Sequence, residues 1–330
     1  MKKLGEYING NCKVTIFDDG TKIRFTPDDE FLPVKPESMD LKVTNKCGIE
    51  KIFAIRDADG VITSFKKELR PTCSWCHEKS TPDGEHAKWD NFKFIETLLP
   101  YTECALGGGD LFEYPDFEKL LDRLKENKII ANATFNQIHL ELPGNIDLVK
   151  RLISEKKLYG VGISLRPTVP AAESLAEILS DPIFSNAVVH VINGIHSLKM
   201  LKPLMDRGIK VLILGYKTFG RGVSYCDGLM APIIKENQQE LKDNLPSLIS
   251  HFKAVSFDNL AIGQLNVKDI LSPEDWDSFY MGEEGQFTMY IDAVKGEYAV
   301  CSVAEDRFPL EDDIEPMFKH IREIAAKKGK

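Results

Sequence analysis

Apolar and polar residues alternate along the first part of the chain, with Val14 and Ile16 on one side of Asp19-Gly20 and Ile23 and Phe25 on the other. That pattern predicts a β-hairpin closed by a tight turn. After a Pro-containing stretch over residues 26–37, a more continuous apolar run at Met39 to Thr44 predicts a buried strand that ends at Cys47. Residues 52–62 repeat the hairpin logic, with Ile52-Phe53-Ala54-Ile55 and Val61-Ile62 flanking Asp59-Gly60. From Trp89 the spacing of apolar residues lengthens from two to between three and four, the signature of helices packed by one face. Helical spacing covers residues 89–99, 115–127 (with Pro115 near the first turn), 146–156, 171–179 and 196–207. Between them lie short strand-like runs at 103–106, 129–136, 158–165, 187–192 and 210–215.

Six strands with helices in the intervening segments predict parallel pairing through right-handed crossovers. The expected fold class is α/β, a partial (β/α)6 TIM-like barrel with an N-terminal β-hairpin and a C-terminal α+β extension. The corresponding divisions are residues 1–37 for the hairpin extension, 38–222 for the core barrel with a hairpin inserted at 48–72, and 223–330 for the extension. In that last part a helix is expected over 233–252, a hairpin over 287–303 around Lys295-Gly296, and a terminal helix over 314–327. It reads as an elaboration that completes or covers the barrel.

Composition narrows the function classes. The 330 residues are 43% hydrophobic and 28% charged, ordinary for a soluble globular protein. A net charge of −9 and a pI near 5.4 argue against a general phosphate-binding surface, so nucleic acid is not an expected partner. The start, Met1-Lys2-Lys3-Leu4-Gly5, has no apolar stretch of signal-peptide type, and no run reaches the roughly 18 apolar residues that cross a bilayer. A cytoplasmic location without membrane contact is expected. Seven cysteines, an odd number scattered through a long chain, suit a reduced site better than a disulfide framework. Cys12, Cys104, Cys226 and Cys301 share no close spacing and read as small buried hydrophobes.

The remaining three are different. Cys73-Ser74-Trp75-Cys76 places two thiols three positions apart, and Cys47, at a strand end, is a third. Three thiolates can hold three irons of a 4Fe–4S cluster and leave the fourth iron open. A zinc site built from Cys47, Cys73 and Cys76 with His77 or His86 is the competing assignment. In parallel α/β barrels functional groups gather where strands end. Here those ends carry Gly107-Gly108-Gly109-Asp110, Thr134 and Asn136, Ser164 and Arg166, Asn193-Gly194, and Gly215-Tyr216-Lys217.

On these residues the chain resembles the radical S-adenosylmethionine enzyme superfamily over residues 38–222. Its members usually space three cysteines Cys-x3-Cys-x2-Cys after the first barrel strand, with an aromatic just before the last. Cys73-Ser74-Trp75-Cys76 matches the second half; 25 residues rather than three separate Cys47 from Cys73. A hairpin whose ends return together keeps the geometry, since closure entropy grows slowly with loop length. The resemblance implies a 4Fe–4S cluster on Cys47, Cys73 and Cys76. It implies S-adenosylmethionine held by the Gly107-Gly108-Gly109 backbone, with Asp110 on its ammonium. Ser164 and Arg166 would meet the ribose hydroxyls and the methionine carboxylate, the strand segment through Asn193 would pack on the adenine, and Trp75 would bond it through its backbone. The glycine run also serves as a plain strand-to-helix turn, Arg166 also suits a surface, and the Asn193 segment also suits an ordinary buried strand.

The implied activity is reductive cleavage of S-adenosylmethionine to a 5′-deoxyadenosyl radical, with an external flavodoxin- or ferredoxin-like donor of electrons. The acidic pI and the absence of a cysteine-rich C-terminal module favour a small-molecule or nucleotide substrate. The alternatives are a radical enzyme acting on a peptide, and a zinc-stabilised α/β binding protein without radical chemistry. His77 and Glu78 are candidates for orienting the cluster or meeting substrate, against solvated loop residues. Lys217 and Arg221 could receive an anionic group. Asp258, Tyr290 and Asp292 are further candidates without a motif, and Cys12 or Cys104 is the substitute should Cys47 not be a ligand.

Overall fold

The computed structural model describes residues 2–28 and 30–328. Its first element is a three-stranded antiparallel sheet of β1 (Lys3–Asn9), β2 (Cys12–Phe17) and β3 (Lys22–Phe25). The predicted hairpin is β2–β3, with Gly20 at φ 90° in its turn, a conformation open to glycine. β1 adds a third strand that Lys3-Leu4-Gly5-Glu6 concealed by breaking the alternation. Tyr7, Cys12 and Val14 make its small core. Arg24 donates from Nε to Oε2 of buried Glu37 at 2.8 Å, and Lys22 Nζ lies 2.7 Å from Glu103 Oε2, so ion pairs join this sheet to the rest.

β4 (Ser38–Thr44) opens the main sheet. β5 (Ile49–Arg56) and β6 (Ile62–Arg70) pair only with each other, antiparallel, as the Asp59-Gly60 signal predicts. The strands β7 (Glu103–Gly108), β8 (Ile130–Asn136), β9 (Gly160–Ser164), β10 (Ala187–Ile192) and β11 (Lys210–Leu214) then follow in order beside β4, all parallel. The helices between them are α1 (Phe117–Glu126), α2 (Gln137–Leu140), α3 (Asn145–Ser154), α4 (Val169–Ile178) and α5 (Leu198–Leu201). Two helical expectations change form. Residues Trp89–Thr97 coil as a 3-10 helix, and the stretch expected as one helix over 196–207 is broken into α5 and a 3-10 turn at Lys202–Leu204, where Pro203 has no N–H to continue the ladder.

Past residue 220 come α6 (Arg221–Asp227) and α7 (Ala231–Leu248), and then two strands join the main sheet at opposite ends. β12 (Ala254–Phe257) pairs parallel with β11, and β13 (Thr288–Asp292) pairs parallel with β4. Helices α8 (Asn259–Leu265) and α9 (Pro273–Phe279) span the interval. The expected hairpin around Lys295-Gly296 is β13 with β14 (Glu297–Ala299); β15 (Phe308–Pro309) follows, and α10 (Ile314–Lys328) ends the chain. The parallel run is thus β12-β11-β10-β9-β8-β7-β4-β13, two strands more than the six expected. Four-residue β12 is too short for its alternation to be read. The result is a large, mostly parallel sheet.

Side chains alternate across it. Leu41, Leu106, Phe135, Ile163, Val191 and Ile213 face one way and share a core with Leu120, Leu124, Val149, Leu152, Leu175 and Leu245 from the helices. The opposite face carries small and polar side chains, among them Asp40, Ala105, Asn132, Thr134 and Gly162, and these line cavities. Among the described residues no helix is long and apolar enough to cross a membrane.

Candidate functional site

The C-terminal ends of the parallel strands open on a cavity of about 310 Å³. Cys47, Cys73 and Cys76 all line it. They meet because the β5–β6 ribbon closes on itself: Ile49 is paired with Arg70, so the 25 intervening residues leave the site and come straight back. The Cys47 thiol then donates to Thr72 Oγ1 at 3.3 Å. Asn136, at the end of β8, donates from Nδ2 to Cys73 Sγ at 3.3 Å. Arg221 grips the cysteine loop by its backbone, with Nε on Cys73 O at 3.2 Å and a terminal guanidinium nitrogen on Ser80 O at 2.9 Å. Cys12 and Cys104 are buried in hydrophobic cores away from this cavity.

Burial pushes the Cys73 thiol up to about 12, and the neighbouring Cys76 and Cys47 push the same way. Three thiolates crowded into one enclosed space repel one another, and positive charge at their centre removes that penalty. The donor set therefore suits a cationic metal cluster. Among the described residues no three His, Cys, Asp or Glu side chains converge as they would around a single ion. Of the two histidines considered for zinc, His86 stands outside the cavity, with Nδ1 2.9 Å from Thr44 Oγ1, whereas His77 lines it, with Nε2 3.5 Å from Glu78 Oε1.

Trp75, Gly107, Gly108, Gly109 and Ser164 line the cavity with the cysteines. The glycines have separate jobs. A Cβ at Gly107 would meet nothing within 4 Å, so its absence leaves open space on the wall. At Gly108 (φ 115°) and Gly109, a Cβ would come within 2.3 Å of Thr44 O and 2.2 Å of Lys46 O respectively. Those two let the Cys47 loop lie directly on the β7 turn, where Gly109 N donates to Thr44 O and Asp110 N to Lys46 O, both at 2.7 Å.

The other three expected cofactor residues stand outside the cavity wall. Asp110 is buried, with Oδ2 2.9 Å from His139 Nδ1 and Oδ1 accepting from Phe112 N at 3.1 Å. Arg166 is half-buried and lies 3.6 Å from Glu141. Asn193 donates to Gln264 Oε1 at 3.0 Å.

The fold also brings to the cavity groups that sequence reasoning passed over, Lys42 and His190, or named without a motif, Tyr290. Lys42, which shares strand β4 with Asp40, lies between Glu78 Oε2 at 2.6 Å and Asp292 Oδ2 at 3.1 Å. Tyr290, paired across β13–β4, donates to Glu78 Oε1 at 3.4 Å. Burial, then the nearby Glu78 carboxylate, pushes its phenol up. His190, mid-strand in β10, is held down to about 4 by burial, so its imidazole is neutral. A charge or imidazole inside a buried strand needs a partner or a cavity, and that was the available signal. Of the weaker candidates, Glu78, Lys217 and Arg221 line the cavity, whereas Asp258 caps α8 by accepting from Ala261 N at 2.7 Å.

A second cavity of about 830 Å³ continues from the first toward the strand starts. The two share Asp40, Thr134, His190 and Lys217. Its far rim includes the Asp18–Thr21 turn between β2 and β3.

No protein-family model matches the chain, and neither does any curated protein. Solved structures do. The chain is similar to SuiB of Streptococcus suis bound to precursor peptide SuiA, with a TM-score of 0.53 and 12% identity over 88% of this chain and 67% of that one. The structure of SuiB bound to S-adenosylmethionine gives a TM-score of 0.45 at 13% identity, over 88% and 66%. The chain spans about two thirds of SuiB's length, 67% in the first comparison. At such identity the likeness with the peptide-bound structure is one of fold.

Proposed function

We propose that this chain is a radical S-adenosylmethionine enzyme, with Cys47, Cys73 and Cys76 as the thiolate ligands of a 4Fe–4S cluster. The observation that supports it most is the meeting of these three thiols in one cavity at the strand ends, despite the 25 residues between the first two. Held by these three thiolates, such a cluster would supply the electron for reductive cleavage of S-adenosylmethionine to methionine and a 5′-deoxyadenosyl radical. The chain's own residues bind and enclose. Trp75, Gly107, Gly108, Gly109 and Ser164 form the wall against which the cofactor lies, with open space left over Gly107. Asp110, Arg166 and Asn193 lie outside that wall, on His139, Glu141 and Gln264 respectively. Asn136 and Arg221 hold the cysteine loop.

Residues 38–222 carry the cofactor site in this reading, as a partial barrel, with 1–37 at its far end and 223–330 completing its edges. Electrons come from an external flavodoxin- or ferredoxin-like protein. For the substrate, the fold shared with peptide-bound SuiB favours a peptide over the small molecule or nucleotide expected from charge, and the continuous interior gives an extended chain room. The zinc alternative uses the same three cysteines and is decided by which metal the protein retains.

Anaerobically reconstituted protein should be brown, with broad absorbance near ~400 nm from thiolate-bound iron. With reductant and S-adenosylmethionine it should release 5′-deoxyadenosine. Colourless protein that retains zinc and takes up no iron overturns the proposal.

A further inference from the structure

A cluster ligand at one end of a 25-residue excursion poses a physical problem, because each residue left mobile adds conformational entropy that opposes assembly. The ribbon joins its own two ends at the Ile49–Arg70 pair but does little to seat them against the main sheet. Its apolar residues point to solvent, with Ile52 64% and Phe65 68% exposed, and its strands pair only with each other. One side chain does hold them. His139, on α2 just after β8 and 2% exposed, places Nε2 2.9 Å from Thr72 Oγ1 and 3.6 Å from Cys47 Sγ. Those two atoms are themselves 3.3 Å apart. Residues 47 and 72 are the two ends of the excursion, so a single imidazole touches both.

The imidazole is fixed from behind. Its Nδ1 is 2.9 Å from Asp110 Oδ2, and Asp110 is anchored in turn by the backbone N–H of Phe112 at 3.1 Å. Asn145 Nδ2 donates to His139 O at 2.8 Å, tying α2 to α3. A buried ring with partners on both nitrogens and on its own carbonyl has one orientation. This also accounts for Asp110: its carboxylate is taken up by the imidazole, and its backbone N–H by Lys46 O one residue before Cys47.

We propose that Asp110 and His139 form a clamp that seats both ends of the 48–72 excursion against the ends of β7 and β8 and so fixes Cys47 beside Cys73 and Cys76. That Cys47 is a cluster ligand rests on the function proposed above; the clamp itself does not. His139 is a positioning residue, acting on the site through Cys47 and Thr72.

Two measurements on the full chain test this separately. In metal-free protein, His139→Ala is expected to speed amide hydrogen exchange at residues 45–48 and 71–74 together, by roughly tenfold, with β10 unchanged as the control for folding. Thr72→Val, acting from the other end, should give the same pattern more weakly. His139→Gln, which keeps an amide group near the place of Nε2, should fall between His139→Ala and wild type. After anaerobic reconstitution, chelator-driven iron loss from His139→Ala and Asp110→Asn should be roughly 10–100-fold faster than from wild type, the range for removing a group that orients a metal ligand, and should approach Cys47→Ala. Unchanged exchange at both segments in His139→Ala and Thr72→Val overturns the clamp. Faster exchange with unaltered iron loss overturns its part in holding the ligand. If wild type takes up no iron, the proposed function and the ligand role fall together, and the exchange result decides the clamp alone.

Discussion

Lys42 sits in the middle of a buried strand with 5% of its side chain exposed, 2.6 Å from Glu78 and 3.1 Å from Asp292. One ammonium there serves two carboxylates from distant parts of the chain, the cysteine loop and the end of β13. Attraction in such an enclosed place offsets a large desolvation cost, and removing one partner leaves the others uncompensated, which costs about 3–5 kcal/mol. Lys42→Met is therefore expected to lower the stability of the full chain by that amount in urea denaturation, with iron uptake reduced because Glu78 follows Cys76 by two positions. A loss below ~1 kcal/mol, the scale of an exposed pair, would show the group to be solvated instead. At this scale Cys73 and Cys76 stood out by their spacing and Cys47 by its place at a strand end. Lys42 and His139 were not, and Asp292 was named without a motif, because each acquires its role from a partner more than 25 positions away.

The β5–β6 ribbon is the element most plainly separable from the fold. Its register is set by the pairs Lys51↔Glu68 and Ile49↔Arg70 near the base, and beyond them its side chains contribute little buried area. Replacing residues 52–67 by a two-residue Asn-Gly turn should keep the base pairs in register. The expected melting temperature is within a few degrees of wild type, and iron retention should be equal, since the clamp at His139 lies below the cut. A collapse of iron binding on trimming would mean that the ribbon holds the site. Hairpin and helix signals were clear in the sequence because alternation and three-to-four spacing are local properties. The 3-10 coil at Trp89–Thr97 and the break at Pro203 were less so, because the choice between helix types is made by packing around them.

For the whole molecule, β12 and β13 matter most, since they cover β11 and β4 at the two edges of the run of strands. A chain ended at residue 222 leaves both edges as unpaired parallel strands with apolar neighbours, a template for aggregation. It is expected to accumulate as insoluble protein, read from the soluble fraction on expression against the full chain; a soluble, iron-binding 1–222 fragment would contradict this. The sequence by itself determined the α/β alternation and the three hairpins, because each depends on neighbours within a few residues. Only the tertiary structure decided that the sheet runs to eight parallel strands, that Gly108 and Gly109 serve the approach of the Cys47 loop, and that Asp110 turns to His139. Those are contacts between segments far apart in the chain. A local pattern can place a residue at a strand end, but which partner satisfies its charge is settled when the strands are brought side by side.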